Sequence, residues 1–284
     1  MPNIGNTATP SDAFSFSGIN SDNEFGIPLT MASTGGLITS VSGYLAGHGG
    51  SANVVAAIWN SSGVALAQSA YGPTIPAGTG GRGGQGWHTF SLSYVASPNQ
   101  SLIVGFWRAP SQQWEWTENS GGTEYFATNT SGNIGNILTD SGHYTSTGSP
   151  GFYFTYTPPP AISGINPTAG QVGSLVQITG SGFNSSQGGG YVTFGGYTAL
   201  ISSWSDTSIW CYVPTNFTTT QTVNVQVAQN SQVSNAASFT VQVGGVKIWN
   251  GSTWGKYKVK VWNGTAWVWR PVRAWDGSNW IRRG

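Results

Sequence analysis

Short stretches that alternate apolar and polar positions recur along this chain, each closed off by a cluster of Gly, Ser, Asn or Pro. Residues 37–44 (LITSVSGY), 54–59 (VVAAIW), 87–92 (WHTFSL) and 102–107 (LIVGFW) are examples. Period two sends successive side chains to opposite sides, as a half-buried β-strand requires and an α-helix does not allow. The punctuation argues the same way: 42 Gly and 14 Pro among 284 residues leave little room for long uninterrupted helices. An all-β chain is therefore expected, and its 13% aromatic content supplies side chains large enough to fill cores. No stretch approaches the length of apolar sequence that a membrane-spanning helix needs, so membrane insertion is not expected.

Charge divides the chain into three. Residues 1–158 carry two Arg against seven Asp and Glu, a net −5; residues 159–244 carry Asp206 alone; residues 245–284 carry eight Lys and Arg against Asp276, a net +7. The joints fall at Pro158-Pro159-Pro160, a run that cannot continue a sheet ladder, and at Gly244-Gly245. Three modules are expected: a β-sandwich over 1–158, a second over 159–244, and a small unit of β-hairpins over 245–284. The single cysteine, Cys211, rules out an intrachain disulfide.

The first module offers few chemical motifs. The loop 72–86 is rich in glycine but has no lysine and no following helix start, so it is not a phosphate cradle and no cofactor is expected. Its three histidines with the chain's lone cysteine give no zinc spacing. Asp22 and Glu24, beside Asn20 and Asn23, offer hard oxygen ligands in a turn and form a weak calcium candidate, with ordinary turn chemistry the plainer reading. Trp107, Trp114, Trp116 and Tyr125, interleaved with Glu115, Glu118 and Glu124, make the richest polar-aromatic stretch. They are candidates for stacking on a glycan, against the alternative of core or subunit packing. No catalytic residues are expected. The succession GGLITSVSGYLAG, AAIWNSSGVALAQS, GWHTFSLS and SLIVGFW resembles jelly-roll modules that accompany glycan-acting domains in bacterial surface proteins, over residues 25–110.

In the second module, PAISGINPTAGQVGSLVQITGSGF is followed by YVTFGG, WSDTSIWCYVP and TVNVQVAQNSQVSNAASFTV. This pattern resembles the IPT/TIG family and implies an immunoglobulin-like β-sandwich over 160–243 that serves as a spacer or interaction unit. The residues make physical sense of it: Val176 and Ile178 alternate into a core, Gly180 and Gly182 permit a tight bend, Phe183 packs down, and Cys211 is a small buried thiol. With no Lys or Arg in 159–244, this module is not expected to bind a nucleic-acid backbone.

The third module repeats one unit at a 13-residue period: VKIWNGSTW from Val246, VKVWNGTAW from Val259 and VRAWDGSNW from Val272. Asn-Gly and Asp-Gly predict two-residue type I′ hairpin turns. That register sets Lys247 opposite Trp254 beside Trp249, Lys260 opposite Trp267 beside Trp262, and Arg273 opposite Trp280 beside Trp275. Each hairpin then gathers two tryptophans and a cation on one face, which a lone hairpin cannot bury. These nine residues are candidates for docking or oligomer contacts, with sugar stacking or anion binding as the sharper alternative. The repeats are similar to those at the C-termini of structural proteins of phages infecting actinobacteria.

The expectation is a non-enzymatic phage virion surface protein, a minor tail or fibre-like protein that contributes to assembly and attachment to host glycan. A capsid decoration or head-fibre protein, and a bacterial polysaccharide-binding module, are the alternatives. The opening MPNIGNTATPSDAFSFSG has neither a basic nor an apolar leader segment, so synthesis in the host cytoplasm and display on the virion exterior are expected. Other virion proteins, a host cell-wall glycan and further copies of the chain, a trimer by analogy of class, are the expected partners. Nucleic acid is not.

Overall fold

The computed structural model describes residues 1–7, 14–15, 24–47, 53–72, 74–75, 83–108, 114–119, 123–128, 136–138, 141–146, 149–243, 246–249, 251–257, 259–270, 273–275 and 280–282. Every regular element among them is a β-strand, and the chain divides into two compact units, Met1–Pro158 and Pro159–Gly284.

The first unit is built on two antiparallel sheets. One runs, in order, through Asn3–Gly5, Phe152–Thr157, Gly36–Gly47, Trp114–Asn119 and Ser149–Pro150, with Gly83–Ala96 also paired to Gly36–Gly47 and Phe14–Ser15 to Trp114–Asn119. The other runs through Ser141–Ser146, Glu124–Thr128, Glu24–Thr30, Ser101–Arg108, Val54–Asn60 and Ala65–Gln68. Val41, Phe90, Phe152 and Phe154 from the first share one core with Phe25, Ile58, Val104 and Phe106 from the second. Phe152 meets Phe25 and Phe106 edge-on, with ring centroids 5.1 and 4.8 Å apart. Gly43 makes this possible: a Cβ there would come within 2.6 Å of the Phe106 ring.

Two of the expected half-buried strands are buried on both faces instead. Val54, Ala56 and Ile58 point into the main core, while Ala57 and Trp59 join Ile103, Ala127 and Ile137 in a second cluster, with Tyr125 and Leu138 packed against it. The runs VVAAIW and LIVGFW are nearly continuous in apolar residues because both sides of the sheet centre are covered.

The second unit contains another sandwich. A sheet of Ala161–Asn166, Leu175–Ser181, Ser208–Tyr212 and Leu200–Trp204 faces one of Ala169–Gln171, Ala237–Gln242, Gln221–Gln229, Tyr191–Phe194 and Tyr197–Thr198, with Gln232–Val233 paired to the Gln221–Gln229 strand. Val176, Ile178, Ile209 and Cys211 from the first pack with Val192, Phe194, Val225, Val227 and Phe239 from the second. Burial pushes the Cys211 thiol up to about 12, since the thiolate would lose its water inside this core. Phe183 is anchored at its backbone as well as its ring: Trp204 Nε1 and Gln229 Nε2 both donate to its carbonyl, at 2.6 and 2.9 Å. Gly180 lies so close to the Ala161 carbonyl and the Phe183 ring that no side chain fits, and Gly182 turns the chain at φ +72°.

The rest of the second unit is three hairpins, each a two-stranded sheet of its own: Val246–Trp249 with Trp254–Tyr257, Val259–Trp262 with Trp267–Arg270, and Arg273–Trp275 with Trp280–Arg282.

Candidate functional site

The hairpins carry the repeat, and their register differs from the two-residue turn that Asn-Gly predicts. Trp262 pairs with Trp267 and Lys260 with Trp269, so the loop holds four residues, 263–266. The cause is the Asn263 side chain. Its Oδ1 accepts from the Thr265 amide at 2.9 Å, the Thr265 hydroxyl at 3.0 Å and the Ala266 amide at 2.8 Å, while the Asn263 amide donates to the Ala266 carbonyl. An asparagine that satisfies its own loop in this way replaces the tight turn. A type I′ turn needs positive φ at both central residues; positive φ is found at Gly264, at +103°, and not at Asn263.

The same register recurs in the other two copies. Lys247 lies opposite Lys256 and Trp249 opposite Trp254; Arg273 lies opposite Arg282 and Trp275 opposite Trp280. The expected pairings Lys247 with Trp254, Lys260 with Trp267 and Arg273 with Trp280 are therefore replaced by direct tryptophan pairs. The correction moves each register by two positions, and a shift of two preserves the face on which a residue lies. Lys260, Trp262 and Trp267 thus still share one side of the middle hairpin.

That side is open. Trp262 and Trp267 are 51% and 64% exposed, their rings tilted by 59° with centroids 5.8 Å apart. Val261, on the other side, is exposed as well, while Val259 and Val268 beside it are half-buried. Closure of the three copies into a small shared core does not occur at these side chains. What remains is a pair of large aromatic surfaces on the same side as the cation Lys260, suited to docking on a complementary surface.

The stacking candidates of the first unit divide between its two sheets. Trp107 ends the Ser101–Arg108 strand and is 3% exposed, opposite Val55 and Glu24. Its indole Nε1 has no hydrogen-bond partner among the described residues, and what solvent meets nearby is Tyr71, 6.2 Å away ring to ring. Trp107 is therefore a packed residue and not an open platform. Tyr125 is half-buried against the second core cluster. Trp114 and Trp116 belong to the opposite sheet, their backbones opposite Gly47 and Leu45; their side chains lie outside the described residues. A stretch that is continuous in sequence is thus split across the sandwich.

The calcium candidate also changes. Asp22 lies outside the described residues, and Glu24 is fully buried at the start of a strand, in register with Trp107 and Ala127, not in an open turn. Among the described residues no group of three or more His, Cys, Asp or Glu could hold a metal ion. The sequence reading passed over a run of half-buried rings, Tyr44, Trp87 and Tyr153, with Trp87 5.6 Å from Tyr44 and 5.0 Å from Tyr153. Period two could have found it, since Tyr44 pairs with Trp87 and Ser42 with Tyr153 across three strands.

Residues 160–241 match the IPT/TIG domain family. The middle of this chain is an IPT/TIG domain. No curated protein matches the chain. Among solved structures it is similar to the gamma-CGTase of alkalophilic Bacillus clarkii, at 23% identity and a TM-score of 0.28, over 44% of this chain and 17% of that one. An auxiliary nutrient binding protein from Bacteroides ovatus is 23% identical with a TM-score of 0.25, over 34% of this chain and 25% of that one. The BSP domain of a biofilm associated protein is 16% identical with a TM-score of 0.18, over 77% of this chain and 30% of that one. The chain spans less than a third of the length of each of these structures. An all-β chain with an IPT/TIG domain accords with a non-catalytic binding or surface role.

Proposed function

We propose that this chain is a non-enzymatic surface protein of a bacteriophage particle, a minor tail or fibre-like protein that contributes to assembly and to attachment on host-surface glycan. In this reading it is made in the host cytoplasm and displayed on the virion exterior. The two sandwiches project, and the basic C-terminal hairpins dock on an acidic surface of neighbouring virion proteins, with further copies of the chain completing an oligomer.

One observation carries the reading: the paired tryptophans of the middle hairpin stand open at 51% and 64% exposure, and the sequence writes that pair three times within a segment of net charge +7. A hairpin that exposes two large aromatic rings beside a cation, in a sequence that repeats the same unit three times, is built to have them covered by something else. The rest of the molecule is sparsely charged, with two Arg against eight Asp and Glu, and rich in Ser, Thr, Asn and Gly, which suits prolonged exposure to solvent.

The test is to locate the chain in purified particles by immunogold labelling. Label at the tail tip or along a fibre is the expected result. Label spread over the shell would give a capsid decoration or head-fibre protein instead, and absence from particles would favour a bacterial polysaccharide-binding module.

A further inference from the structure

The outer face of the four-stranded IPT/TIG sheet carries a patch that the reading above does not use. Val176, Ile178, Ile209 and Cys211 point into the core, so alternation turns Leu175, Gln177, Trp210 and Tyr212 outward. The register aligns them in two rows across three strands: Leu175, Tyr212 and Leu200 in one, Gln177, Trp210 and Ser203 in the next. Exposure is 41% at Leu175, 37% at Tyr212, 72% at Leu200 and 37% at Trp210. Four large apolar side chains are thus open to solvent on contiguous positions of one sheet face.

We propose that this face binds a neutral polysaccharide, with Trp210 and Tyr212 as the stacking floor for neighbouring sugar rings. Three observations select that occupant. The two aromatic residues are two positions apart on one strand, which places them about 7 Å apart on the same side. An amide and a hydroxyl flank the Trp210 indole in its own row, from Gln177 and Ser203. Sugar recognition calls for this combination of an aromatic face with polar groups at its edge. The Gln177 amide is held in place, since its Nε2 donates to Ser208 Oγ at 3.0 Å, and an ordered amide costs less to bind than a free one.

Charge and size complete the argument. Residues 159–244 contain no cation and one anion, Asp206, whose carboxylate accepts from the Asn184 amide, so nothing on the module selects a charged ligand. Two rows across three strands measure about 10 by 7 Å. That footprint is about 70 Å² between backbone positions, well short of the roughly 800 Å² per partner that a stable protein interface needs. It matches a few sugar units better than a second copy of the chain.

For the ligand class alone the inference rests on the reading of the chain as a glycan-attachment protein, and its test is separate from particle location. The full chain is titrated calorimetrically with cellohexaose, chitohexaose and, as an anionic control, polygalacturonate. The expected result is binding of at least one neutral hexasaccharide, weakened about tenfold by Trp210→Ala, the worth of one good stacking contact. A smaller loss is expected for Gln177→Ala, which keeps both rings, and no change for Trp114→Ala. The inference is overturned if neither neutral sugar binds, if Trp210→Ala leaves binding intact, or if polygalacturonate binds better. Loss of binding in Trp114→Ala but not in Trp210→Ala would overturn it while supporting glycan attachment through the first unit. A concentration-dependent dimer of the wild type that Trp210→Ala abolishes would assign the face to a second copy.

Discussion

Trp59 and Trp262 meet opposite fates, and the difference lies in how many layers surround them. Trp59 sits on the next-to-last strand of a six-stranded sheet, where it clusters with Ile103 and Ala127 of the same sheet and with Ile137, and it is fully buried. Trp262 sits on a hairpin that forms a two-stranded sheet of its own, and half of it meets solvent. The residue is the same; the architecture decides whether it stabilises the fold or waits for a partner. The two sandwiches hold the packed cores of the described residues, and the middle hairpin holds aromatic surface open to solvent.

The contrast can be broken most forcefully in a sandwich core. Phe194→Ala removes a ring that meets Phe239 edge-on at 5.2 Å inside the IPT/TIG domain. It should lower the stability of the second unit by about 3–5 kcal/mol, read from urea unfolding. Gly43→Ala drives a methyl group toward Phe106 in the first unit and should cost about 1–3 kcal/mol by overpacking, without moving the transition of the second. Equal effects of the two substitutions on both transitions would contradict two independently packed units.

A pH series sharpens the same point through Cys211. Its thiol is neutral at ordinary pH in both folded and unfolded chains. The folded value is raised from 9.0 to about 12, so the folded state keeps its proton longer than the unfolded one. Stability from this group is fully present below pH 9 and declines as the pH rises from there toward 12. At pH 8 a thiol-specific reagent should label Cys211 slowly in the native protein and quickly in urea. Fast native labelling would mean that the core around Cys211 opens far more readily than its burial implies.

Substitutions in the hairpins should leave both sandwiches alone. Gly264→Ala forces a side chain into a backbone at φ +103° and should weaken the middle hairpin by about 1 kcal/mol, seen as lost exciton-coupled circular dichroism of the Trp262–Trp267 pair. Trp262→Ala should change the sandwich transitions by less than about 0.5 kcal/mol, since half of the ring meets solvent and its ring neighbour is Trp267.

Much of this was legible in the sequence. Period two and dense turn residues gave the all-β class, and Val176, Ile178, Phe183 and Cys211 lie in the core where their alternation placed them. Two-sided burial of 54–59 and 102–107 was written in their nearly unbroken apolar runs but was masked by the reading of alternation. The hairpin register was missed for a local reason: Asn-Gly permits a type I′ turn, but the asparagine side chain has acceptors to offer, and the Thr265 and Ala266 amides take them. Trp107 and Tyr125 looked like neighbours of Trp114 and Trp116 because they are close in sequence, while the chain crosses between sheets from one pair to the other. The open face around Trp210 depends on which of two strand faces finds a second sheet, which spacing alone does not tell.

The most direct test of docking through the hairpins is the amount of chain retained on purified particles when Trp249, Trp262 and Trp275 are all replaced by Ala. The account predicts a protein whose sandwich transitions match the wild type and which is lost from the particles. Full retention of the triple variant would contradict it and move the docking surface to another part of the chain.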